Sequence, residues 1–165
     1  MECLLDVKQV NKNFGGVVAA ENVSLKVSEG MIRGLIGPNG AGKTTLLNLI
    51  SGIYHVDSGS IYLMGQDVTD TSPYDRARMG LGRTFQSPRF LQRSSIRDNM
   101  LMGTDLYEQT GFAGSFFKFR HRSNFQNELE ELMSTTGLQI DWEASILSLP
   151  YGQRKILEIV RTLLS

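Results

Sequence analysis

The sequence predicts an α/β fold in which a β-rich first half carries a phosphate-binding loop and the second half is helical. Three observations predict it. Apolar and polar residues alternate along "LLDVKQVNKNF" (Leu4–Phe14) and "VAAENVSLKVSEG" (Val18–Gly30). A glycine-rich stretch, Gly37–Thr44, stands between two apolar runs. From Ser94 onward the apolar residues recur at helical spacing. The chain has 165 residues, enough for one domain or slightly more, and an ordinary globular balance of 41% apolar and 21% charged residues. Its formal net charge is zero, so bulk attraction to nucleic acid is excluded as a basis for binding. The first ten residues mix charge with apolar side chains, unlike a signal peptide, and no apolar run approaches a membrane span. A single cysteine, Cys3, forms neither an internal disulfide nor a multi-thiolate metal site.

Taken in order, the first two strands end at Phe14 and at Glu29-Gly30. "MIRGLIG" (Met31–Gly37) is a short apolar run closed by glycine and is expected to be a buried strand. After Gly42 the pattern turns helical, with Leu46, Leu47 and Ile50 on the apolar face and Gly52 at the end. "SGSIYLMGQDV" (Ser58–Val68) is expected as one strand entered through the turn Asp57–Gly59, and "GLGRTFQ" (Gly80–Gln86) as a short one. "SSIRDNMLMG" opens a helix with a serine cap. "GTDLYEQTGFAGSFFKFRHRS" is expected to be irregular. "NFQNELEELMSTTGL" is an amphipathic helix facing inward with Leu129, Leu132 and Met133. "GQRKILEIVRTLLS" is another, with a wide apolar stripe at 156, 157, 159, 160, 163 and 164.

The stretch Gly37-Pro38-Asn39-Gly40-Ala41-Gly42-Lys43-Thr44 fits G-x-x-x-x-G-K-[ST] without mismatch. Glycines let the backbone curl so that successive N–H groups face phosphate oxygens. A helix start adds partial positive charge. Lys43 supplies a full charge for the β- and γ-phosphates, the Thr44 hydroxyl is a ligand for Mg²⁺, and Thr45 is placed for the α-phosphate. This pattern alone indicates a nucleoside triphosphate with Mg²⁺. It does not separate a kinase, a GTPase and an ATPase.

The longer run "GPNGAGKTTLLNLISGIYHVDSGSIYLMGQDV" resembles the ATP-binding subunit of ABC transporters. "NFGGVVAAENVSL", "ARMGLGRTFQ" and "YGQRKILEIVR" are similar to segments of the branched-chain amino acid importer branch. The resemblance implies a P-loop NTPase fold of ABC type, incomplete here, with an N-terminal antiparallel β-subdomain and an α-helical subdomain. It implies residues 1–86 as the β-rich part with the phosphate loop (Walker A) and the Q-loop, 87–148 as the helical subdomain, and 149–165 as the signature motif with its helix. Phe14 matches the aromatic that stacks on adenine, a contact of about 1–3 kcal/mol by analogy with base stacking. Gly37, Asn39, Gly40, Ala41, Gly42, Lys43, Thr44 and Thr45 match the ATP-binding loop. Gln86 matches the Q-loop glutamine, a ligand of Mg²⁺ or of the attacking water, so that Lys43 and Gln86 are the catalytic candidates and Thr44 and Gln86 the metal candidates. "LPYGQ" (Leu149–Gln153) resembles the signature, whose Tyr151, Gly152 and Gln153 would face the ATP of a second subunit. It departs at Pro150, where serine is usual and where proline has neither hydroxyl nor N–H. Pro88, Arg89, Phe90 and Leu91 are candidates for contact with a transmembrane subunit, the alternative being packing within the subdomain. "FFKFRHR" (Phe116–Arg122) reads as a family-specific insertion.

The implied partners are transmembrane permease subunits, a second ATP-binding subunit in a homo- or heterodimer, and indirectly a periplasmic or extracellular solute-binding protein, but no nucleic acid. The implied place is the cytoplasmic face of the membrane, as a peripheral protein. The family's catalytic Asp-Glu after an apolar strand (Walker B) and its switch histidine have no counterpart in the 165 residues; His55 and His121 precede the signature and read as surface residues. The expectation is a truncated product or fragment with very slow turnover, since phosphoryl transfer needs loop, metal and water-orienting carboxylate together. Two other readings stay open: a soluble ABC-type ATPase without membrane partner, and a non-catalytic nucleotide-binding fragment.

Overall fold

In the computed structural model, residues 2–102 and 118–164 are described, and they fall into two compact units, the first ending at Leu81 and the second starting at Gly82. The first unit is built on a four-stranded sheet in which every pairing is antiparallel. Strands β1 (Cys3–Phe14) and β2 (Val17–Ser28) form a long hairpin, β1 is central, and β3 (Ser58–Leu63) and the short β4 (Gln66–Asp67) complete the order β2-β1-β3-β4. Gly15 and Gly16 both take positive φ (53° and 95°), the two-residue turn whose twist suits a hairpin, and Phe14 faces Val17 across it. Strict alternation would put Val7 and Val10 on opposite faces. Both are buried, because the register slips between them at Gln9, whose φ is +47°.

Helix α1 (Lys43–Ile50) contributes Leu46, Leu49 and Ile50 to a core shared with Val7, Val10, Ala20, Ile61, Leu63 and Val68. Leu47, expected on that face, is half exposed, and Leu49 takes its place. The i, i+3, i+4 set 46/49/50 lies on one side of a helix, and position 47 is turned about 100° away. The expected strand Ser58–Val68 is instead the β3–β4 hairpin, turning at Met64-Gly65, both with positive φ. A short helix that periodicity did not suggest, α2 (Pro73–Arg78), is opened by Ser72, whose hydroxyl accepts from the Asp75 amide. From it Arg76 turns inward and is 1% exposed. Its guanidinium donates to the carbonyls of Leu49, Ile50 and Thr69 and to the Thr71 hydroxyl, at 2.7 to 3.2 Å. It thus saturates the last-turn carbonyls of α1. Burial lowers its pKa from the ordinary arginine value.

Two strand expectations are corrected. Met31–Gly37 forms no ladder, and Ile32 and Ile36 are 99% and 93% exposed. An apolar run becomes a buried strand only when neighbours pair with its edges and cover its faces. No described strand lies beside this one. Gly80–Gln86 likewise has no strand partner; the Gly80 and Leu81 amides donate to the Ala77 and Arg76 carbonyls, and Phe85 and Gln86 are held by side chains.

In the second unit, α3 (Ile96–Leu101) is capped by Ser95, which accepts from the Asp98 amide. Helix α4 spans Lys118–Thr136, so it starts before the expected Asn124, and Gly137 (φ +67°) follows it. After a 3₁₀ turn at Ile146–Ser148 comes α5 (Tyr151–Leu163). Ile96, Met100, Leu129, Met133, Ile146, Leu157 and Val160 form the second core, with Leu132 packed against it. Of the α5 stripe, Leu157 and Val160 are buried, whereas Ile159 and Leu163 remain open to solvent.

Candidate functional site

The phosphate-loop candidates lie in the first unit, between the end of β2 and the start of α1. Gly42 is the residue before the helix, with φ 77° and ψ 5°. A Cβ there would lie 2.1 Å from the Ala19 carbonyl oxygen, so glycine is required both by the backbone angle and by the close approach of β2. Gly40 also has positive φ (84°), and the Ala41 amide closes a turn onto the Pro38 carbonyl at 3.2 Å. Lys43, the first helical residue, bends its side chain back over the curl. Its ammonium donates to the carbonyls of Gly37 and Pro38 at 2.8 and 2.6 Å. Thr44 is exposed and Thr45 half-buried in the first turn of α1. Beside the loop opens a pocket of about 400 Å³, bounded by Val18, Ala19 and Glu21 of β2 and by Gly40, Gly42 and Lys43. The arrangement puts a cation, a helix start and glycine-rich backbone at one mouth, which suits a polyphosphate. Among the described residues no cluster of His, Cys, Asp and Glu could hold a metal ion. Thr44 presents an exposed hydroxyl in the first turn of α1, an oxygen of the kind a hard cation takes as a ligand.

Phe14 ends β1 at the hairpin tip, is 42% exposed, and does not line that pocket. Its ring meets Tyr54 edge to face, centroids 5.2 Å apart at 71°, and the Lys12 ammonium stands 5.3 Å from its centroid. Lys12 is paired with Asp57 at 2.6 Å, and the other Asp57 oxygen accepts the Asn13 amide at 2.7 Å. The Lys12 hydrogen bond, followed by that of Asn13, holds the Asp57 carboxyl below the ordinary carboxylate range.

The remaining candidates lie in the second unit, where Gln86 and Tyr151 meet. The Tyr151 hydroxyl donates to the Gln86 carbonyl at 2.8 Å. One turn further along α5, the Lys155 ammonium donates to the Phe85 carbonyl and pairs with Glu158 at 2.7 Å. Glu158, 2% exposed, accepts the Phe85 amide at 3.0 Å. One face of α5, read at positions 151, 155 and 158, therefore grips the backbone of Phe85 and Gln86. The apolar pattern gave no sign of Lys155 and Glu158, because an acid flanked by Leu157 and Ile159 reads as a solvent-facing break in the stripe. The Gln86 side chain is exposed. Gly152 is exposed with open space around it, and Gln153 is half-buried. Pro150 is the N-cap residue of α5 (φ −55°, ψ 152°) and makes no side-chain cap bond. The missing N–H costs the helix nothing at that position, but the hydroxyl cap that serine gives is lost. Phe90 packs against the second core under the Arg161 guanidinium (4.7 Å), whereas Leu91 is 48% exposed. His55 is exposed; His121 and the Phe116–Arg122 side chains lie outside the described residues.

The model of a family described as ABC transporter matches residues 20–165. Over 164 residues the chain is 31% identical to a protein of Archaeoglobus fulgidus described as a probable branched-chain amino acid transport ATP-binding protein, covering 98% of this chain and 63% of that protein. A ribose import ATP-binding protein of Caldanaerobacter subterraneus is 30% identical, over 99% of this chain and 32% of its own length. A solved ATP-binding cassette of an ABC transporter, in its ADP conformation, superimposes with a TM-score of 0.79 at 29% identity, covering 99% of this chain and 65% of that one. The chain thus spans less than two thirds of the length of the first relative and of this cassette.

Proposed function

Since the chain belongs to the ABC transporter family, we propose that it is the ATP-binding part of an importer and that its own contribution is to grip the nucleotide. The observation that carries this reading is the curl from Gly37 to Gly42, closed against Ala19 and bridged by the Lys43 ammonium. In the reading proposed here, Lys43 exchanges its bonds to the loop carbonyls for phosphate oxygens. The α1 amides take the remaining charge, Thr44 holds Mg²⁺, and Phe14 meets the base. Gln86 senses the metal or water, and Tyr151, Gly152 and Gln153 face a nucleotide held by a second ATP-binding subunit. The further partners are membrane permease subunits and, through them, a solute-binding protein. The place is the cytoplasmic face of the membrane, held there by those subunits. Among the described residues no helix is long and apolar enough to cross a membrane.

Branched-chain amino acids are the proposed cargo, supported by the Asn13–Leu25, Ala77–Gln86 and Tyr151–Arg161 segments and by the Archaeoglobus fulgidus relative. A sugar importer is the second reading, because the ribose relative matches at nearly the same identity. Titration calorimetry with MgATP tests the central claim. Binding is expected, and Lys43→Ala is expected to weaken it at least about tenfold, the loss of one charge-assisted contact. A folded chain that takes up no nucleotide overturns the proposal.

A further inference from the structure

A ring at the tip of a hairpin is poorly placed to be a rigid contact. Phe14 is followed directly by Gly15-Gly16, and neither the ring nor its aromatic neighbour Tyr54 belongs to the apolar core. Both are well exposed, at 42% and 38%. An aromatic pair left in solvent contributes little to folding by burial, yet its edge-to-face geometry fixes the direction of each ring. The Tyr54 backbone is in turn fixed. Just beyond α1, the amides of Ile53 and Tyr54 both donate to the Asn48 carbonyl, at 2.9 and 3.2 Å. A single eight-residue helix, about 12 Å long, therefore carries the phosphate curl at its first residue and anchors Tyr54 just past its last. Lys12 and Asp57 tie the strand from the other direction.

We propose that Tyr54 is a positioning residue for the base end of the nucleotide. It holds the Phe14 ring in the one orientation that a purine meets, and α1 keeps that ring at a set distance from the phosphate curl. The inference rests on the nucleotide reading of the curl and of Phe14. The energetic reason is pre-organisation: a ring already oriented loses less freedom on stacking than one swinging at a glycine turn.

The test is titration calorimetry on the full chain with Mg²⁺ and two probes, ATP and inorganic tripolyphosphate, which carries the phosphates without a base. Tyr54→Ala is expected to weaken ATP about threefold to tenfold, the worth of an oriented aromatic pair, and to leave tripolyphosphate within about twofold. Tyr54→Phe, which keeps the ring, is expected to restore ATP affinity. Equal weakening of both probes means that the substitution damaged the fold and not the base end, and overturns the inference. So does an unchanged ATP affinity in Tyr54→Ala, or a wild-type chain that binds ATP no better than tripolyphosphate. A wild-type chain that binds neither probe overturns the nucleotide reading itself, and this inference falls with it.

Discussion

The two loops that carry the candidate residues are held in opposite ways. Gly37–Gly42 is shaped by its own backbone angles, by the ammonium of the very next residue, and by one close approach to β2. In Gly82–Gln86 the Arg83 guanidinium lies over the Phe85 ring at 5.2 Å. The backbone of Phe85 and Gln86, however, is gripped by Tyr151, Lys155 and Glu158, 65 to 73 positions further along. The first loop is local in sequence and so forms a readable motif. The second is a stretch of chain whose conformation belongs to another element, and only its glutamine gave a hint.

The largest effect should come from breaking the locality of the first loop. Gly42→Ala forces a Cβ into the Ala19 carbonyl at positive φ. The expected cost is about 3 kcal/mol, from left-handed strain plus overpacking, with MgATP binding lost. Urea unfolding and calorimetry check it; a stable, nucleotide-binding variant would show that the loop is not set by its backbone. Next in size is the tether of the second loop. Glu158→Ala removes the acceptor of the Phe85 amide and leaves Lys155 without its carboxylate, at an expected cost of about 2–3 kcal/mol. Glu158→Gln keeps an acceptor and should lose about half of that. Trp142, the one tryptophan, is half-buried in this unit and reports its unfolding by fluorescence. If both variants unfold like the wild type, the tether contributes nothing.

The smallest effect concerns Asp57, a long-range tether within the first unit whose side chain is 43% exposed. Its folded pKa is depressed, so the stability that it contributes is present above the ordinary carboxylate range and is lost as the pH falls through the folded value. Asp57→Asn should therefore lower the melting temperature slightly at neutral pH, converge on the wild type in acid, and so flatten the limb from about pH 5 downward. A steeper limb in the variant would reverse the assignment.

The same contrast decides what was legible in the sequence. The β1–β2 hairpin, α1, the capped α3 and the inward face of α4 follow from period, caps and glycines, which act over a few residues. Met31–Gly37 was misread because apolar character states a preference for burial and not the presence of a neighbour. The β3–β4 turn was hidden in "LMGQ", where a methionine at positive φ does what glycine or asparagine usually does. Arg76 and Glu158 could not be read from pattern at all. A buried charge is tolerated only where several distant backbone groups converge on it, and convergence is a property of the tertiary fold.

Arg76 also settles how small a working version of the phosphate curl can be. The helix that begins with Lys43 is finished by a side chain 26 positions beyond its last residue. A peptide stopping at the end of α1 would leave the Leu49 and Ile50 carbonyls, and the negative pole of the helix, facing water without their cation. A piece excised with this helix end still satisfied therefore runs at least through residue 76.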